Sequence, residues 1–261
     1  MEPTIDAVPI APPIEPFWRL ALRLALDAAA FVVLAALFVA VPLGAVWLAS
    51  AAARGLEATS ASIEGARQAF AGMTFNVQMT SFFAAGAVGY LAVIAAILTV
   101  ARARRGADWR AYIAWAPFRF EWIYGAVAVA AVVWGAAIGS VIEYLHPEAK
   151  QWVTFPKGPV GVVATVALAV FIGPLCEELI FRGWLFTALR SRLGALATIA
   201  ATAVLFACAH WESTHLYALA VFPIGLMLGY IRQRSGSMRA SFAFHGIYNF
   251  AGWILAALAG R

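Results

Sequence analysis

Two adjacent glutamates, Glu177 and Glu178, follow the uncharged run PVGVVATVALAVFIGPLC (159–176) and precede the apolar stretch GWLFTAL, with Arg182 four residues beyond the second. Ionisable groups at membrane depth are costly and mark functional sites by default. Glu178 and Arg182 share one helical face, so the guanidinium neutralises that carboxylate and holds it in place. Glu177 is rotated by about 100° and has no such partner; it is the candidate general base. Read alone, the trio is also compatible with a helix that ends at Cys176 and carries ordinary interfacial charges. Two further polar groups stand in apolar runs. FACAH ends on His210, and FHGIYNF places His245 and Asn249 four apart. Singly, His210 reads as a satisfied core histidine, and His245 with Asn249 as interhelical hydrogen-bonding glue.

Their joint arithmetic points elsewhere. The midpoint between residues 177 and 210 falls in the turn SRLG, Ser191 to Gly194. Two helices running antiparallel from that turn bring Glu177 and His210 to one depth. A glutamate and a histidine sharing a water make it a nucleophile. His245 and Asn249 then supply hydrogen bonds to the oxygen that turns negative as the water attacks a carbonyl. Such a site hydrolyses an acyl bond without a serine or cysteine nucleophile.

The ordered set EExxxR (Glu177 to Arg182), FxxxH (Phe206 to His210) and HxxxN (His245 to Asn249) resembles the CPBP family of intramembrane proteases, also called the CAAX-protease and bacteriocin-processing or Abi family. The likeness covers roughly residues 159–258; the first 150 residues match nothing beyond membrane spans. It implies an intramembrane endopeptidase acting on a membrane-associated peptide or protein. Glu177 and His210 activate the water, His245 and Asn249 stabilise the oxyanion, and Glu178 and Arg182 support the site. It also leaves two cofactor accounts open: a divalent metal such as zinc held by Glu177, His210 and His245, or a glutamate-activated water with no metal. No HExxH is present and Asn is a poor zinc ligand, which favours the metal-free account. Few lysines and abundant alanine and arginine suggest a bacterial source, which argues against prenylated CAAX substrates.

These residues need a scaffold, and composition says which. Of 261 residues, 64% are hydrophobic and 12% charged, against about a quarter charged in soluble domains. The expected class is all-α, a polytopic transmembrane bundle of about seven to eight spans with the catalytic helices in the C-terminal half. Expected spans are 28–52, 81–100, 122–141, 159–189, 194–210, 215–231 and 240–259, with 19–26 as an eighth, interfacial segment. The loop 54–80 has room for a short amphipathic helix. Three regions follow: a proline-rich disordered tail (1–17), N-terminal membrane helices (18–158) and a catalytic core (159–261). With the N-terminus in the cytoplasm, twelve arginines fall inside and five basic residues outside, Arg182 set aside, as the positive-inside rule requires. The expected location is the bacterial cytoplasmic (inner) membrane, with lipid bilayer and a peptide substrate as partners and no nucleic acid. Cys176 and Cys208 suggest neither a disulfide framework nor a metal site. Most of the tryptophans sit near expected span ends and read as interfacial anchors, and His146, Glu212 and His215 read as loop residues.

Two other functions remain: a non-catalytic membrane adaptor or bacteriocin-immunity-type protein that binds a partner helix, and a small transporter. The absence of paired, Gly/Pro-broken half-helices weakens the latter. One feature strains the catalytic geometry. His245 lies six residues beyond Arg239, about 9 Å of helix, whereas Glu177 and His210 lie some 16 residues from the 191–194 turn, about 25 Å. The groups meet only if that turn projects beyond the membrane, the last helix starts deep, or the spans tilt.

Overall fold

The computed structural model describes residues 16–146, 155–211 and 215–258. Most of the proline-rich tail, together with Lys150, Glu212 and Arg261, lies outside these. Eight helices in chain order account for the described residues: α1 Phe17–Arg54, α2 Leu56–Ala71, α3 Phe75–Tyr112, α4 Trp122–Leu145, α5 Gly158–Arg190, α6 Ala195–Ala209, α7 Leu216–Ser235 and α8 Met238–Leu258. Helix α3 tightens into a 3-10 turn at Gly106–Asp108 before its last residues. Among the described residues there is no β-strand.

Six helices, all but α2 and α6, are long and apolar enough to cross a membrane. Two of the expected segments take a different form from this set. The 19–26 segment is no separate element, because an unbroken apolar chain carries it into α1. The expected 194–210 span is α6, 15 residues long, or about 22 Å against a hydrocarbon core of about 30 Å. Its small residues pack on α7 instead: a Cβ on Gly225 would lie 3.1 Å from the Cα of Ala203, the close backbone approach that membrane helices favour. Large apolar side chains such as Val32, Val41, Val129 and Val133 face outward on α1 and α4, as lipid contact requires. Helix α2 fills the 54–80 loop and carries Glu64, whose carboxylate accepts hydrogen bonds from Arg67 and Gln68.

Helix α5 is continuous but irregular. Two π-helical stretches, Val166–Ile172 and Leu179–Leu185, flank the α-helical turn Gly173–Glu178. Pro174 explains the first: it has no N–H for the carbonyl of Val170, and its ring would crowd that carbonyl in a regular helix. Widening leaves carbonyls for side chains from other helices. The Asn249 amide donates to Ala169 O at 2.8 Å, and Arg232 Nε donates to Arg182 O at 2.9 Å. Single-turn widenings of this kind recur at functional sites.

The depth discrepancy is resolved by where α8 begins. Ser237 and Met238 are fully buried, and the segment after α3 lies over them. The Met238 N–H donates to Ala114 O at 3.0 Å, and the Ser237 hydroxyl to Ala116 O at 2.5 Å. Met238 shares an apolar cluster with Trp184, Leu179 and Cys176 of α5. From Trp184 back to Glu178 and from Met238 forward to His245 are nearly equal steps, about 10 Å of helix each. The last helix starts deep.

Candidate catalytic site

The site rests on a pair that water does not reach. Glu178 and Arg182 side chains are both 0% exposed, with Arg182 Nη1 3.1 Å from Glu178 Oε1. Arg182 Nη2 donates to Gly225 O of α7 at 3.0 Å, and its guanidinium lies 4.5 Å from the ring centre of Phe206 on α6. One side chain of α5 thus ties α6 and α7 to that helix. Glu178 Oε1 also accepts from His245 Nδ1 at 3.0 Å. The other carboxylate oxygen, Glu178 Oε2, and Arg182 Nε are buried without a protein hydrogen-bond partner.

Glu177 points into a different space. Its Oε2 lies 4.0 Å from His210 Nε2 and 3.8 Å from His245 Nε2. The Glu177 and His210 side chains are 19% and 20% exposed, and His245 is 6% exposed. The turn at 191–194 therefore does bring Glu177 and His210 to one depth, and α8 adds His245. The rings are held from behind. His210 Nδ1 is 2.8 Å from the carbonyl of Phe206 one turn earlier, an acceptor only, so Nδ1 carries the hydrogen. His245 Nδ1 likewise donates to Glu178. In the neutral form each imidazole therefore presents an unprotonated Nε2 towards Glu177. Phe206 packs between the two rings, its centroid 4.6 Å from His210 and 5.9 Å from His245.

Two donor assignments change with this geometry. With Nδ1–H given to Glu178, His245 donates from Nε2 only when it carries a second proton. Asn249 gives one amide hydrogen to Ala169, which leaves the other for a ligand. Gly246, beside His245, is needed for close approach: a Cβ there would meet Val170 O at 2.9 Å. His215 is exposed and stacks on Trp211 at 4.2 Å between ring centres, away from the glutamates' hydrogen bonds.

The donor set Glu177, His210 and His245 is of the right type for zinc, and the anchored Nδ1 positions are what ligating imidazoles show. The spacing is not. Ligands about 2.1 Å from a tetrahedral ion stand about 3.4 Å apart, whereas these atoms are 3.8 and 4.0 Å apart. Among the described residues no group of three or more His, Cys, Asp or Glu is placed to hold a metal ion. A water fits better: two hydrogen bonds of about 2.8 Å span such a gap at about 90°.

Sequence reading passed over Asp27, which is buried and accepts from Arg104 Nη2 at 2.6 Å, the Tyr112 hydroxyl at 2.5 Å and Trp184 Nε1 at 3.4 Å. The available signal was a lone acid at the head of a charge-free run that ends only at Arg54. Nor are all the tryptophans interfacial: Trp184 is buried, and Trp134 donates to Ala220 O at 2.8 Å.

The chain is 33% identical over 132 residues to an uncharacterised 24.3 kDa protein of Escherichia coli; the match covers 48% of this chain and 58% of that protein. No solved structure matches. Residues 159–251 match the family described as type II CAAX prenyl endopeptidase Rce1-like, and the matched stretch contains every polar residue of the site. Over that stretch the chain is similar to the Rce1-like intramembrane proteases, the resemblance to the CPBP family that its motifs carry.

Proposed function

We propose that the protein is an intramembrane endopeptidase that hydrolyses a peptide bond of a membrane-associated protein or peptide, using a water activated by Glu177 and His210. The observation that carries this reading is the convergence of His210 Nε2 and His245 Nε2 on one oxygen of Glu177, at 4.0 and 3.8 Å. Three elements far apart in sequence supply these atoms, and none is hydrogen-bonded directly to another. The gaps are those of a shared water rather than of a finished structural network.

In the reaction the water oxygen attacks the scissile carbonyl carbon while its proton passes to Glu177, with His210 Nε2 accepting the second hydrogen bond. The carbonyl oxygen becomes an oxyanion. His245, as imidazolium, donates from Nε2, and the second Asn249 amide hydrogen adds a donor from one turn further along α8. Collapse breaks the C–N bond, and the proton held by Glu177 goes to the departing amine. Glu178 holds His245 in the required orientation, and Arg182 makes Glu178 tolerable in an apolar interior. The partial exposure of Glu177 and His210 gives solvent and substrate access, while Phe206 covers both imidazole rings from the core side. The Rce1-like match supports peptidase chemistry and a membrane-associated peptide substrate.

The test is comparative membrane proteomics of a strain carrying Glu177→Ala against one carrying the unaltered chain. The reading expects one or a few membrane peptides to accumulate uncut in the variant. Identical peptide profiles, with the variant present at normal abundance, would refute it.

A further inference from the structure

Helix α3 lies outside the matched stretch 159–251, yet one of its faces borders the catalytic turn. Gly86, Tyr90, Ile94, Ile97 and Ala101 recur along it at helical spacing. A Cβ on Gly86 would lie 3.2 Å from Leu168 Cδ2 of α5. Ile94, Ile97 and Ala101 are buried in the apolar cluster that holds Cys176 and Leu179, and Tyr90 packs against the same cluster. Cys176 and Leu179 bracket the two glutamates, and α3 packs on the turn Gly173–Glu178 that carries them. Tyr90 and Glu177 are within electrostatic reach of each other and of Tyr217. The Tyr217 ring, at the start of α7, stands edge-on to His210 with 5.6 Å between ring centres. Tyr90 thus belongs to the surroundings of the opening through which Glu177 and His210 are partly exposed.

Packing accounts for the Tyr90 ring but not for its hydroxyl. It is the one hydroxyl among these face residues, and among the described residues it makes no hydrogen bond. Tyrosine hydroxyls in apolar surroundings usually find a partner, as Tyr112 does in Asp27 and Tyr124 in Glu121. A bound peptide supplies such a partner. A segment cut within the bilayer gives up its own helical hydrogen bonds around the scissile bond, and each main-chain carbonyl so freed is costly there unless a donor meets it. We propose that Tyr90 is a substrate-binding residue of the catalytic site, its hydroxyl donating to a main-chain carbonyl of an extended peptide held against Glu177. The inference rests on the peptidase reading and adds to it that the substrate is recognised through its backbone, by a donor from the N-terminal half of the bundle.

The test is steady-state kinetics of the full-length parent chain and Tyr90→Phe in an uncharged detergent, with thermal melting of both. The probe is a synthetic peptide spanning the cut that the parent makes most often in isolated membranes, located by labelling new N-termini. Phenylalanine keeps the ring in its cluster and removes only the hydroxyl, so melting should be unchanged. Loss of one neutral hydrogen bond to the bound peptide should raise KM about two- to tenfold, with kcat held within about twofold. Unchanged KM and kcat would overturn the proposal. So would a fall in kcat at constant KM, which would put the hydroxyl on Glu177 or the attacking water, and so would lower melting at constant KM, which would give it to folding. A parent chain that cuts no membrane peptide refutes the peptidase reading and this proposal together, whereas kinetic identity of the parent and Tyr90→Phe refutes this proposal alone.

Discussion

The two neighbouring glutamates should respond in opposite ways to the same substitution. Glu178→Gln removes the counter-charge and leaves the Arg182 guanidinium wholly buried among neutral groups, Gly225 O, the Phe181 and Phe206 rings and the new amide. Removing one partner of a buried ion pair costs about 3–5 kcal/mol. At about 2–4 °C per kcal/mol for a chain of this size, the melting temperature in detergent should fall by roughly 6–20 °C. Glu177→Gln removes no direct hydrogen bond, since its imidazole neighbours stand at 3.8 and 4.0 Å. Its melting temperature should stay within about 3 °C, as for substitutions away from buried networks, while cleavage is lost. A double substitution, Glu178→Leu with Arg182→Met, should recover most of the stability, because a buried pair replaced by apolar groups is often neutral. It should not recover activity, because His245 loses the anion that holds its Nδ1. Thermal melting of the three variants and the parent beside a cleavage assay checks the set. The reasoning is refuted if Glu178→Gln melts within 2 °C of the parent, or if Glu177→Gln falls as far as Glu178→Gln does.

Further outcomes follow from the same geometry. His210→Ala should abolish cleavage and cost only about 1 kcal/mol of stability, the worth of the single hydrogen bond to Phe206 O, measured by melting and product formation. Asn249→Ala should lower stability by about 1–3 kcal/mol, because Ala169 O is left without its donor, and should also slow turnover; loss of turnover with unchanged melting would make Asn249 an oxyanion donor only. Gly246→Val should destabilise α8 against α5, since even a Cβ meets Val170 O at 2.9 Å, by about 1–3 kcal/mol for overpacking. Treatment with a chelator should leave cleavage intact, as the donor spacing around Glu177 suits a water; loss of activity restored by zinc would contradict that reading.

Much of the site was legible because membrane residence makes polar residues conspicuous. Glu178 and Arg182 pair as their spacing dictates, and the turn at 191–194 brings Glu177 level with His210 as the midpoint arithmetic requires. What sequence did not carry was depth and irregularity. A buried start for α8 depends on the segment at 114–116 lying over Met238, a contact across more than a hundred residues that no local pattern records. The widened turns of α5 follow from Pro174, a visible signal, but which side chains claim the freed carbonyls is decided by packing. Arg232 illustrates the limit of charge counting: it reads as a topogenic loop arginine, yet it lies along α7 with Nε on Arg182 O. Asp27 was equally hidden, because its partners Arg104 and Trp184 are 77 and 157 residues away.

The most direct test of the central chemistry is to incubate purified protein with isolated membranes and identify newly formed peptide N-termini by chemical labelling and mass spectrometry, comparing the parent chain with Glu177→Gln. New termini that appear with the parent and are absent with the folded variant are the predicted result. The same termini formed at the same rate by both proteins would show that Glu177 does not activate the attacking water.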